Sequence, residues 1–110
     1  MSTATRSDIG FCVIYRWRVD PDREDDFRRA WATVTEALAA HRGALGSRLH
    51  RAEDGTWVAY AQWPSKAAWE ASRATDPVDA EVAEAGRVMA EAIVTRESPI
   101  LLEPTDDRLR

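Results

Sequence analysis

The stretch Leu45 to Ser72, LGSRLHRAEDGTWVAYAQWPSKAAWEAS, decides how this chain must fold. It predicts a strand, a tight turn, a second strand and a helix that leaves at once. Asp54-Gly55 is a strong hairpin signal, because a type I′ turn needs positive φ at both central residues. The flanking strands run from Leu45 to Glu53 and from Thr56 to Trp63. Trp57 to Trp63 is rich in aromatic and strand-forming residues, and Pro64-Ser65 ends it and offers a helix start. The hairpin belongs at the centre of a small sheet, with any pocket built against it.

Upstream, Gly10 to Val19 (GFCVIYRWRV) predicts a first strand. Asp20-Pro21 then opens a helix, with Asp20 as N-cap and Pro21 at the first helical position. Glu24, Asp25 and Asp26 suit the positive end of that helix. Phe27, Trp31, Val34 and Leu38 step by four, three and four, which places them on one face. His41 and Arg42 close the helix before Gly43. Downstream, Ser65 caps a short helix through Arg73, and Thr75-Asp76-Pro77 interrupts the pattern. A further helix runs from about Val78 to Met89. Ile93 to Leu102 predicts the last strand, broken at Pro99 and so partly at an edge. Residues 1–9 form a polar arm, 10–103 one domain, and 104–110 a polar, mobile tail.

The order β-α-β-β-α-β, with right-handed crossovers, is the ferredoxin-like arrangement: α+β, a four-stranded antiparallel sheet and both helical layers on one face. A sheet with one wet face should alternate apolar and polar residues. Phe11 to Tyr15, Trp57 to Ala61 and Ile100 to Leu102 do not. Both faces need cover, and the helices supply it for one. The expected partner is a second copy, sheet against sheet, in an obligate homodimer.

Composition narrows the function. The chain has 110 residues, 45% hydrophobic and 31% charged, with a net charge of −4. Mild acidity argues against a nucleic-acid footprint. No apolar run approaches the roughly 20 residues of a membrane span, and MSTATRSD lacks the apolar core of a secretory signal, so a cytoplasmic protein is expected. Cys12, the single cysteine, reads as a buried, inert thiol. No His, Cys or Asp spacing fits a metal site, and there is no phosphate loop or nucleophile elbow.

The segment VDPDREDDF, leading into an amphipathic helix, and the hairpin ending Trp63-Pro64-Ser65-Lys66-Ala67-Ala68-Trp69 resemble the antibiotic biosynthesis monooxygenase domains of the dimeric α+β barrel superfamily. The likeness spans roughly residues 10–103. It implies the fold, dimerisation, and a pocket between sheet and helices for flat aromatic or polyketide-like molecules or haem. It also implies oxygenase activity without bound metal or flavin. The haem-degrading branch uses an asparagine on the first strand, a tryptophan on the helix after the hairpin and a histidine beyond. Here Tyr15, Ser72 and Val82 fall near those positions and the chain has no asparagine, which argues against haem degradation.

Among residues able to carry chemistry, His50 is the candidate general base, in the middle of its strand. Tyr15 is the second catalytic candidate. His41 reads as a helix-end residue. Tyr15, Trp17, Tyr60 and Trp63 offer aromatic surface. In the row Trp57, Ala59, Ala61, Trp63, two small residues between two large ones leave a hollow for a planar ligand, with Trp31 as its roof. Arg16 and Arg18 alternate with the β1 aromatics and offer charge to an anionic group or a partner subunit. The leading expectation is a cofactor-independent monooxygenase of a small aromatic or polyketide-like compound. A non-oxidative cyclase, isomerase or lyase, or a non-catalytic ligand-binding dimer, are the alternatives.

Overall fold

The computed structural model describes residues 8–109. Strand β1 (Phe11–Val19) leads into a 3-10 turn over Pro21–Arg23 and then helix α1 (Glu24–His41). Asp20 Oδ1 accepts the Asp22 N–H at 2.9 Å. Asp20 therefore caps the 3-10 turn and not the α-helix, which begins three residues later than expected. Glu24, Asp25 and Asp26 do occupy the first turn of α1, where carboxylates favour the macrodipole.

The hairpin pairs β2 (Gly46–Arg51) with β3 (Trp57–Trp63). Its turn differs from the expected type I′. Gly55 has φ +90°, while Asp54 does not take a positive φ. The Gly55 N–H donates to Ala52 O at 2.9 Å, which centres the turn on Glu53-Asp54 and leaves Gly55 as the left-handed residue that follows. Asp54 acts through its side chain, accepting the Thr56 N–H at 2.9 Å.

Ser65 Oγ caps α2 (Lys66–Arg73) by accepting the Ala68 N–H. Asp79 caps α3 (Ala80–Ala92) by accepting the Val82 N–H. That side chain starts the helix two residues after the Val78 suggested by periodicity. Pro99, which has no N–H for a ladder, divides the last strand into β4 (Ile93–Arg96) and β5 (Ile100–Leu102). Both pair with β1, so the sheet has five strands instead of four.

The sheet order is β2-β3-β1-β4, antiparallel throughout, with β5 also on β1. The register pairs Phe11 with Trp63, Val13 with Ala61, Tyr15 with Ala59, and Trp17 with Trp57. Directly paired residues share a face, and this one is covered by helices. Phe27, Trp31, Met89 and Ala92 pack over its Trp17–Trp57 end, while Leu38, Ala68 and Trp69 pack over its Phe11–Trp63 end. The opposite face carries Cys12, Ile14, Arg16, Val58, Tyr60 and Gln62. Ile14 and Val58 remain half-exposed there in the single chain, and neighbouring Ile100 is exposed.

Candidate functional site

Between the two packed clusters the core leaves a chamber of about 180 Å³. The sheet supplies Tyr15, Trp17, Ala61 and Trp63. Helix α1 supplies Trp31, Val34, Thr35 and Leu38, and Met89 comes from α3. Gly46, Ser47 and the preceding Ala44 complete it where the chain enters β2. The walls follow from two periodicities: alternate β1 residues share the helix-covered face, and the α1 stripe faces them. The Tyr15 and Trp17 rings lie parallel, 5.7 Å apart and 2° between planes. Ala61, opposite Val13, has too little side chain to fill the space beneath α1.

Tyr15 is held from behind. Trp69 on α2, only 3% exposed, donates its indole N–H to Tyr15 Oη at 2.9 Å. One lone pair of that oxygen is thus occupied, which leaves the Tyr15 O–H as a donor for a ligand oxygen. In the sequence Trp69 stands out only as the end of the Trp63–Trp69 motif, with no part in the site. Its signal was present: Ser65 is the N-cap, and Trp69 is the single large apolar residue of α2, which fixes the side turned to the sheet. The hydroxyls of Thr35 and Ser47 were also missed, and no spacing distinguishes them from ordinary surface residues. Ser47 Oγ donates to Tyr60 O at 2.9 Å.

The expected site residues divide between two faces. Tyr15, Trp17, Trp31 and Trp63 come together around the chamber. Trp57 shares their face but does not reach the hollow, because Phe27 packs edge-on between Trp17 and Trp57 at 5.4 and 5.6 Å. The expected hollow between Trp57 and Trp63 therefore narrows to the Ala61 end. Tyr60 and His50 lie on the opposite face. Tyr60 Oη sits 3.2 Å from Cys12 Sγ, and that contact with partial burial pushes its hydroxyl above the usual phenol range. His50 pairs with Val58, is exposed, and has Nδ1 3.2 Å from Val58 O. A role for His50 beside Tyr15 is therefore corrected: the full thickness of the sheet separates it from the chamber.

A second, open depression of about 900 Å³ runs between α1 and edge strand β2. Asp25, Arg28 and Arg29 line it from α1 and Leu49 and Arg51 from β2, and Trp31 and Ser47 border it as they do the chamber. Arg48, next to them in β2, pairs with Tyr60 and belongs to the opposite face. The Arg51 guanidinium lies 4.6 Å from the Trp57 ring centre and meets Glu24 at 2.7 Å. Trp57, which also lines this groove, has a buried indole N–H without a hydrogen-bond partner among the described residues. Among those residues, too, no group of three or more His, Cys, Asp or Glu side chains is placed to hold a metal ion, and no helix is long and apolar enough to cross a membrane.

Three solved structures share this architecture. A conserved protein of Methanosarcina mazei superposes with TM-score 0.72 at 10% identity, covering 93% of this chain and 99% of its own. SnoaB, a cofactor-independent oxygenase from Streptomyces nogalater, gives 0.70 at 16% identity, covering 93% and 99%. A protein of Caulobacter crescentus, described as a candidate antibiotic biosynthesis monooxygenase, gives 0.68 at 18% identity, covering 96% and 100%. At such identities the likeness is one of fold. No curated relative matches the chain. The family model for antibiotic biosynthesis monooxygenase matches residues 10–84, from the start of β1 into α3. With most of its length matched, and with the split β-α-β fold of that family, this chain belongs to the antibiotic biosynthesis monooxygenase family.

Proposed function

We propose that the chamber binds a small aromatic compound and that the protein oxygenates it without a bound cofactor. The observation that carries this is the aromatic-lined hollow beneath α1 with Tyr15 among its walls, in a chain of this family. Stacked Tyr15 and Trp17 hold the ring, and Tyr15 hydrogen-bonds a substrate oxygen and relays the proton lost from an activated ring CH₂. The carbanion reduces O₂ and forms a C–O bond. Cleavage of the resulting peroxide leaves a carbonyl and releases the second oxygen as water with the two hydrogens. The apolar walls keep bulk water from the intermediate. A non-oxidative proton transfer in the same chamber is the second reading. It is favoured by the absence of asparagine from the sequence, since the quinone-forming oxygenases that the chain resembles commonly use one.

Oxygen uptake with one-ring di- and trihydroxybenzenes, whose keto tautomers carry the activated ring CH₂, tests the proposal. Uptake by the wild type should fall about tenfold or more in Tyr15→Phe, within the usual contribution of one acid–base group, and should vanish when Ala61→Leu fills the chamber. Uptake unchanged by Ala61→Leu would refute it. Substrate turnover without oxygen consumption would establish the second reading instead. We further propose that the working protein is a homodimer joined through the uncovered sheet face. The half-exposed Ile14 and Val58 and exposed Ile100 support that assembly.

A further inference from the structure

One trough runs between α1 and β2, and Trp31 divides it. The open groove spans Asp25, Arg28 and Ala32 of α1, with Arg51 and Leu49 of β2 on its other side. The chamber follows, with Val34, Thr35 and Leu38 of α1 facing Gly46 and the preceding Ala44. Advancing along α1 from groove to chamber thus goes with moving back along β2. Steps of three and four link Asp25, Arg28 and Ala32, and likewise Trp31, Thr35 and Leu38, so the two sets form adjacent stripes of the helix. Among the described residues, only Trp31 and Ser47 border both spaces.

Those two residues are unequal. Ser47 is small, and its Oγ is tied to Tyr60 O at 2.9 Å, so it does not reach across the trough. Trp31 carries much the larger side chain, half-buried and packed against the cluster of Trp17, Phe27 and Trp57. It stands between a hollow of about 180 Å³ and a groove of about 900 Å³. An apolar cavity of about 150 Å³ accepts benzene. The chamber therefore takes one ring with a short substituent, and a fused second ring exceeds it.

We infer that Trp31 sets the size limit of the ligand: its indole ends the chamber against the groove and restricts the site to one-ring aromatics. This rests on the aromatic-ligand reading of the chamber and adds its selectivity. Indole is itself a fused bicycle, so removing it opens a space of the shape a second ring requires. That ring would lie toward Leu49 and Trp57, the apolar part of the groove.

Phenol and 2-naphthol, which differ by one fused ring, provide the test. Each is titrated into wild-type protein, Trp31→Ala and Trp31→Leu, with the indole N–H signals of Trp17, Trp57 and Trp63 in NMR as readout. In the wild type, phenol should shift the Trp17 and Trp63 signals. 2-Naphthol should do so at least about tenfold more weakly, since a ring forced into a filled cavity meets the cost of overpacking. In the variants 2-naphthol should bind at least as tightly as phenol, and the Trp57 signal should then move with the other two. Trp31→Leu keeps more of the packing than Trp31→Ala, and circular dichroism checks that each variant is folded. Wild-type protein that takes 2-naphthol into the chamber as tightly as phenol overturns the inference without any variant. A folded variant that still prefers phenol by the wild-type margin overturns it too, as does one that binds 2-naphthol with the Trp57 signal unmoved. Each of these results leaves the aromatic chamber standing, because phenol still fills it. If neither compound shifts the Trp17 and Trp63 signals, the inference falls together with the reading on which it rests.

Discussion

At Tyr15, one hydrogen bond serves packing and chemistry together. Tyr15→Phe removes the acceptor of the Trp69 N–H, which is then buried without a partner. That should cost about 1–3 kcal/mol of stability, read from urea unfolding. In a Trp69→Phe background the same change should cost much less, because the donor has already gone. A double-mutant cycle therefore separates the lost bond from any loss of turnover. Asp54 offers a residue-scale test of the hairpin. The Thr56 backbone N–H, first among its causes, holds the Asp54 carboxyl below the usual range. A carboxylate with a depressed folded pKa stabilises the fold above its unfolded value of about 3.9 and loses that effect as pH falls through the folded value. The stability gap between wild type and Asp54→Ala should thus be constant from about pH 7 to 5 and close below about pH 4. A gap that persists at pH 2 would remove the charged bond as its source. The dipeptide Asp54-Gly55 marked the turn but misassigned its centre by one residue. Glycine in the left-handed region serves either turn, and the Ala52–Gly55 hydrogen bond that decides between them involves only backbone atoms.

At the scale of elements, helices and their facing strands were legible because burial imposes period. The α1 stripe through Phe27 is present as expected, and Phe27 is fully buried between two tryptophans. Phe27→Ala should cost about 3–5 kcal/mol. That is a large part of the 5–15 kcal/mol typical of a whole domain, so the variant should unfold at a much lower denaturant midpoint. The side on which His50 sits was also available, though weakly. Leu49 is the one large apolar residue within β2, and turning it inward turns His50 outward, since a one-residue shift exchanges the faces. The start of β1 depended on something no periodicity reveals. A Cβ built on Gly10 would stand 2.2 Å from Pro64 O, at the point where the Gly10 N–H bonds Trp63 O at 3.0 Å. Gly10→Ala must push β1 away from the end of β3. It should cost about 1–3 kcal/mol, as overpacking does, with the loss read as a lowered melting temperature.

For the whole molecule, the continuous apolar runs of β1 and β3 carry the remaining argument. A strand covered on one side alone has no use for Ile14, Val58 and Tyr60 on the other. Each nonetheless faces away from the helices, beside Ile100 of β5. Some cover comes from the chain itself: residues 102–104 and 106–109 line a depression with Cys12 and Tyr60. The centre around Ile14 stays open to a partner. A twofold interface would bring that patch against its own copy, and a typical interface hides about 800 Å² per subunit. At about 25 cal/mol per Å² of apolar surface, even a few hundred Å² would yield several kcal/mol to set against association costs. Ile14→Asp is the decisive change, because twofold symmetry places two unpaired carboxylates at the same buried centre. Truncations that strand one buried charge cost about 3–5 kcal/mol, so dimerisation should weaken by at least about a hundredfold while the helix-covered core stays intact. Sedimentation velocity at micromolar concentration should show twice the chain mass for wild type and a single chain for the variant. A wild-type protein that sediments as one chain would leave this sheet face exposed in solution and remove the case for a twin.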